Sequence, residues 1–439
     1  MSEAVTHQRG DVGNSMVVGA SIAAWSIGVF VYYLVAGRLL GPDAYGLVAA
    51  LQSVIVVLSL PLVALQWSTA RTIAAAKPAE RASAMATYRR ALWRSSLVGV
   101  LLAVLAAATT LLIDASGTAL PVGPLLLTYA SAVGLVPLLV ACGALQGENR
   151  YTGLAWSYAS SGVLRAPLLL LLLVVPISTT DASLLAVAGA IAVGAVWAVW
   201  LTRGDLRVTS DPAPDMWRGF TRSLPAVMTG LIGIAALTNV DVVAAKLGMG
   251  GEQAGLFGAA SVVAKSLLVV PQALALVLLP RVAERNARDA QTGSFLAIGI
   301  IAMLVAGAIA MLVAEVLAEP IMTIAFGSQY ADAASLLVPF FGATTLLGAL
   351  LLLVNHHVAR SDHRFVWAVA GLAVIEIVLL VFFSGSSMAI IAVDAIVAAI
   401  GLVVHEAIYF NTDQSMIRGG AAEVRRLARR LHGTTREQG

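Results

Sequence analysis

The chain has 439 residues, 59% of them hydrophobic and 12% charged, with a formal net charge of +3. A water-soluble core of this length cannot hide so large an apolar fraction, so the composition excludes an ordinary globular protein and points to an all-α polytopic membrane protein. The single cysteine, Cys142, lies inside an apolar run, which excludes a disulfide framework, a CxxC redox pair and a thiolate metal centre.

Crossing a hydrocarbon layer roughly 30 Å thick takes about 20 residues at 1.5 Å each. Twelve stretches meet that length, near 16–36, 44–66, 95–113, 121–145, 153–175, 183–202, 219–245, 254–279, 294–316, 333–355, 365–383 and 387–410. The first has no basic cluster or small-residue cleavage site behind it and reads as a retained helix. Of the 27 Lys and Arg residues, 23 fall in alternate hydrophilic segments, in the gaps, at the stretch ends or at the chain ends. Because short cytoplasmic loops retain their cations, this alternation predicts an even helix count with both termini in the cytoplasm, in a plasma or inner membrane. The loops predicted to lie outside hold only Arg38 and Lys246, and Arg165 and Lys265 lie within spans.

The two halves repeat one another. Arg38-Leu-Leu-Gly-Pro-Asp43-Ala-Tyr-Gly46-Leu47 has its counterpart in Lys246-Leu-Gly-Met-Gly-Gly-Glu252-Gln-Ala-Gly255-Leu256, and an offset near 210 also pairs Pro61 with Pro271 and Arg71 with Arg281. The expected organisation is a six-helix lobe at 1–202, a cytoplasmic linker at 203–217, a second six-helix lobe at 218–410 and a tail at 411–439. Within the tail, Val424, Leu427, Ala428 and Leu431 share one stripe while Arg425, Arg426, Arg429 and Arg430 lie elsewhere. That pattern predicts a basic amphipathic helix lying on anionic membrane lipid.

These residues resemble a known family. The stretch Gly37 to Leu47, then Thr238-Asn-Val-Asp-Val-Val, the Gly-Leu-Phe-Gly-Ala-Ala loop, Leu278-Leu-Pro-Arg-Val-Ala-Glu284 and Phe326-Gly-Ser-Gln-Tyr-Ala-Asp-Ala-Ala334 are similar to bacterial polysaccharide-export flippases. These belong to the multidrug/oligosaccharidyl-lipid/polysaccharide exporter superfamily. The resemblance implies two six-helix lobes around a central V-shaped cavity lined by the first, second, seventh and eighth helices. It implies as cargo a lipid-linked oligosaccharide of the undecaprenyl pyrophosphate type, flipped between leaflets by alternating access for cell-surface polysaccharide export. A polysaccharide polymerase and glycosyltransferases are the implied protein partners. Relatives that flip the peptidoglycan precursor commonly have fourteen helices, and twelve tilts against that assignment. A cation-coupled drug exporter of the same superfamily is the alternative, but such proteins rely on a carboxylate in the first lobe, often on the first helix, and 16–36 has none. A non-transporting scaffold for glycan synthesis is a third reading.

Charged residues inside spans are functional candidates by default because their burial is costly. Lys265, about 16 Å from the outer end of the eighth helix, lies near the midplane. It either meets the cargo pyrophosphate or pairs with Asp241 or another helix carboxylate. Arg165 is equally deep and serves either cargo or the internal bonding of its lobe. Asp241 is a candidate for binding a coupling H+ or Na+, or a holder of Lys246 or Lys265. Arg71 and Arg281, at the cytoplasmic ends of the second and eighth helices, stand where a carrier phosphate would first arrive. Arg38 with Asp43, and Lys246 with Glu252, are candidate closing contacts of an outer gate. His356, His357 and His363 lack the spacing of a zinc site and read as a polar helix end. No phosphate-binding loop, nucleophile elbow, zinc motif or nucleic-acid module is present, so neither enzymatic chemistry, a cofactor nor a nucleic-acid partner is expected.

Overall fold

The computed structural model describes residues 2–115, 121–207, 210–272, 293–359, 363–412, 415–416 and 418. No strand occurs among them. The α-helices, in chain order, are α1 (Ser2–Ala74), α2 (Arg81–Ala115), α3 (Val122–Gly147), α4 (Tyr151–Val163), α5 (Arg165–Leu172), α6 (Thr179–Leu201), α7 (Pro214–Gly248), α8 (Gly251–Lys265), α9 (Gly293–Phe326), α10 (Leu337–Ala359), α11 (His363–Phe383) and α12 (Ser387–Tyr409).

Ten segments of the described chain are long and apolar enough to cross a membrane, and two local features reconcile that number with twelve spans. Unbroken, the 73 residues of α1 would reach about 110 Å, far beyond a bilayer. The helix breaks at Gly41, with φ 71° and ψ 167°, a conformation that is essentially glycine's alone. Tyr32 before the break and Gln52 after it bring their side chains together. The two arms therefore fold back on one another as the first and second spans.

Pro167 makes the other feature. It has no N–H to offer the carbonyl of Val163, and its ring crowds that carbonyl. The helix is interrupted at Leu164, leaving α4 and α5 as pieces of 13 and 8 residues. Together 151–172 extends about 33 Å, enough for the fifth span.

Small residues let these helices approach. A Cβ added to Gly28 of the first span would stand 2.6 Å from Val163 Cα in the fifth, and one added to Gly143 of the fourth would stand 2.5 Å from the Gln66 carbonyl of the second. Between lipid-facing helices there is no hydrophobic gain on association, so such contacts supply the dispersion energy that holds them.

The chain divides into two compact units, Met1–Ala235 and Ala236–Gly439. The division falls inside α7, beyond the linker, because Met216, Trp217, Phe220 and Leu224 at the start of α7 pack with Leu65, Tyr88, Leu92 and Ala144 of the first unit. Three inter-span loops of that unit are also tied to one another. Arg81 bonds Glu148 at 2.6 Å, Arg150 reaches Glu148 and Asp205 at 3.4 Å each, and Arg90 pairs with Asp211 at 2.8 Å. The Ala213 N–H donates to Ser83 Oγ. These loops follow the second, fourth and sixth spans, so alternate loops share one face of the unit, as the cation count requires.

Candidate cargo and ion site

Each unit holds a buried polar cluster drawn from its first, second, fifth and sixth spans. In the first unit these are Tyr32 and Tyr33, Gln52, Arg165 and Ser183. Tyr32 donates its hydroxyl to the Ser183 carbonyl at 3.1 Å. Arg165 is 6% exposed; its Nε donates to the Ser161 carbonyl at 3.0 Å, and its guanidinium lies beside Tyr33 and Tyr32. The break at Leu164 places this guanidinium within the lobe, and among the described residues no carboxylate pairs with it.

In the second unit the cluster is Asp241, Lys265, Glu376 and Asp394. Lys265 Nζ donates to both oxygens of Asp241, at 2.7 and 2.6 Å, with Asp241 only 2% exposed. The ammonium also lies 5.9 Å from the ring centroid of Phe340. Glu376 and Asp394, both buried, stand within hydrogen-bonding reach of one another and feel the charges of Asp241 and Lys265. Two carboxyl groups share a hydrogen bond only when one of them carries a proton. The cluster is thus a salt bridge beside a buried pair of carboxyl groups.

The clusters occupy corresponding places in the repeat. The 209 residues separating Gly41 from Gly250 also separate Tyr32 from Asp241, and 211 residues separate both Arg165 from Glu376 and Ser183 from Asp394. Where the first unit has a cation and neutral hydrogen-bonding groups, the second has acids. Tyr32, Arg165 and Ser183 of the first unit thus stand at the repeat positions of Asp241, Glu376 and Asp394 in the second.

The other residues singled out by sequence stand apart. Arg71 is exposed at the end of α1, and Arg281 lies outside the described residues. Arg38 and Asp43 are exposed on either side of Gly41. Lys246 is half-buried and Glu252 exposed, and among the described residues no salt bridge joins them. The basic stripe at 423–432 also lies outside the described residues.

His357 is fully buried, its Nε2 2.9 Å from Nε2 of His405, with its ring stacked on Tyr409 at 4.3 Å. His356 packs edge-on against it, and the side chain of His363 is outside the described set. No group of three or more His, Cys, Asp or Glu among the described residues is arranged to hold a metal. The roles of Glu376, Asp394 and His405 escape sequence reasoning because their partners lie on other helices. One signal was available for two of them: an offset of 211 from Arg165 and Ser183.

Repeated six-span units with polar clusters in their interiors are a recognisable membrane-protein fold, and solved structures share it. A multidrug resistance MATE family transporter of the MOP superfamily in an inward-facing conformation superposes with a TM-score of 0.67 at 17% identity, covering 88% of this chain and 97% of that one. The lipid II flippase MurJ, inward closed, gives 0.69 at 11% identity over 92% and 90%. A MOP superfamily transporter from Pyrococcus furiosus, whose binding pocket has reverse polarity, gives 0.60 at 16% over 88% and 94%. No curated protein matches the sequence. The family model for polysaccharide biosynthesis proteins matches residues 14–285, more than half of the chain, and the protein belongs to that family. It is a multi-pass membrane protein.

Proposed function

We propose that the protein flips a lipid-linked oligosaccharide, carried on a polyprenyl pyrophosphate, from the inner to the outer leaflet of the bacterial plasma membrane by alternating access. The observation that carries this reading is the charge of the first unit. Its spans contain no Asp or Glu, and its buried cluster centres on Arg165. With no carboxylate pairing with it among the described residues, this buried guanidinium sets up a positive field around it, which favours an anionic pyrophosphate and opposes a cationic drug. Membership of a polysaccharide biosynthesis family supports a glycan cargo.

Moving a sugar through hydrocarbon without partners costs about 2–7 kcal/mol for each unpaired hydroxyl, so a protected polar route with the lipid tail left in the bilayer removes most of the barrier. In this reading Lys265 alternates between partners. Bound to Asp241 it is neutralised; when Asp241 takes a proton, the ammonium is released toward the pyrophosphate, and Glu376 with Asp394 supplies or accepts that proton. With a membrane negative inside, outward movement of each negative charge is favoured by about 2.3 kcal/mol per 100 mV.

Proteoliposomes holding the full chain test this directly. The expected result is movement of a fluorescent lipid-linked oligosaccharide by the wild type and at least tenfold slower movement by Lys265→Ala. Transport of a cationic dye but not of the lipid-linked sugar would establish the drug-exporter reading instead, and transport of neither would leave a scaffold.

A further inference from the structure

Between the fifth and sixth spans of the first unit runs an open groove of about 670 Å³ lined by Trp156, Ser160, Ala192, Val193, Val196 and Trp197. Its lining is almost wholly apolar, and Trp156 and Val196 are 65% and 70% exposed. The volume falls in the range of ordinary ligand pockets, about 300–1,000 Å³. Trp156 lies five residues into α4 and Trp197 four residues before the end of α6, so both are within about 8 Å of the face that carries the loop cations. The proposed orientation places that depth in the inner leaflet.

Hydrocarbon fills such a groove whichever lipid enters, so apolar lining alone selects nothing. Selection comes from what stands at the mouth. Trp197 stacks on Trp200 with centroids 5.2 Å apart, and the exposed guanidinium of Arg203 sits 4.4 Å above the Trp200 ring. An aromatic ladder thus joins the groove to a cation at headgroup level. Arginine on a tryptophan face keeps its N–H fork pre-organised for a phosphate.

We infer that this groove seats the polyprenyl chain of the pyrophosphate-headed carrier lipid, with Arg203 holding the pyrophosphate, before the headgroup enters the transporter. The inference rests on the flippase reading for its occupant. The small residues Ala192, Val193 and Ser160 between two indole faces leave room for a methyl-branched chain, and Arg203 supplies the charge complement to its head.

The test uses the full-length protein in zwitterionic phosphatidylcholine nanodiscs, titrated with undecaprenyl pyrophosphate bearing no sugar and read by native mass spectrometry. Val196→Trp, which fills the groove, and Arg203→Ala should each weaken binding at least tenfold, while phosphatidylglycerol binding stays unchanged. Trp197→Ala, which widens the groove, is the second variant should Val196→Trp lower the melting temperature. Undiminished undecaprenyl pyrophosphate binding in the folded variants overturns the inference. Phosphatidylglycerol competing at equal concentration also overturns it, by making the groove a site for bulk anionic lipid. Because this readout needs no transport, failure of the wild type to flip lipid-linked sugar would sink the flippase reading separately.

Discussion

Gly41 and Gly250 adopt the same backbone conformation, φ 71° with ψ 167° and φ 69° with ψ 177°, each two residues ahead of an acid, Asp43 and Glu252. This is the gene-duplication signal of the sequence expressed as geometry. Both glycines turn the chain from the first to the second span of their unit, and in this region any other residue is strained by about 1–3 kcal/mol. Gly41→Ala and Gly250→Ala should therefore each lower the unfolding free energy by about that amount. Thermal unfolding in detergent measures it; a neutral outcome at one position would mean that the two hinges are not equivalent.

Lys265 and Asp241 form a salt bridge in the second unit, two bonds at 2.7 and 2.6 Å with the carboxylate buried. Removing one partner leaves the other uncompensated, which costs about 3–5 kcal/mol, whereas removing both costs far less. Lys265→Met should thus destabilise the protein more than the double substitution Lys265→Met with Asp241→Leu. Both variants should lose transport. Equal melting temperatures for the single and double variants would show that solvent or another group already neutralises Asp241.

How far these features could be read from sequence depends on their range. Each span is a local apolar run, so the spans were legible one by one, and the hinge at Gly41 was legible once its partner loop was found. The interruption at Leu164 is written in Pro167, but a run such as 153–175 looks continuous to a hydropathy count because a missing N–H does not alter composition. The Lys265–Asp241 pair was one of two open alternatives, since a separation of 24 residues leaves open which faces of two adjoining helices meet. The company of Glu376 and Asp394 is set by packing between distant helices. The groove is less legible still, because a concavity depends on how far α4 and α6 stand apart and not on any one residue type.

Asp205 gives the linker a pH dependence. Burial first, and then the charge of Glu148, raise its carboxyl above the ordinary 3.8, while Arg150 pulls it back. The folded state therefore binds this proton more tightly than the unfolded chain does. Its contribution to stability is complete below 3.8 and is lost as pH rises through the raised value. Asp205→Asn should remove that part of the slope, so the variant's melting temperature should fall less than the wild type's between about pH 4 and 7. Parallel melting curves for the two proteins across this window would rule out the proposed role.

Arg165 separates function from stability most cleanly. A buried guanidinium with one carbonyl bond and two tyrosines around it, and no carboxylate pairing with it among the described residues, is expensive to keep in a lobe otherwise built from apolar helices. Replacing it with methionine of similar length removes the desolvation cost along with the bond to the Ser161 carbonyl. If the lobe retains the cation for its field on an anionic cargo, Arg165→Met should match or exceed the wild type in melting temperature yet flip lipid-linked oligosaccharide at least tenfold more slowly. Arg165→Lys should recover part of the rate because the charge returns without the planar fork. Full transport by the methionine variant would remove the first unit's charge from the mechanism and leave its cluster as packing.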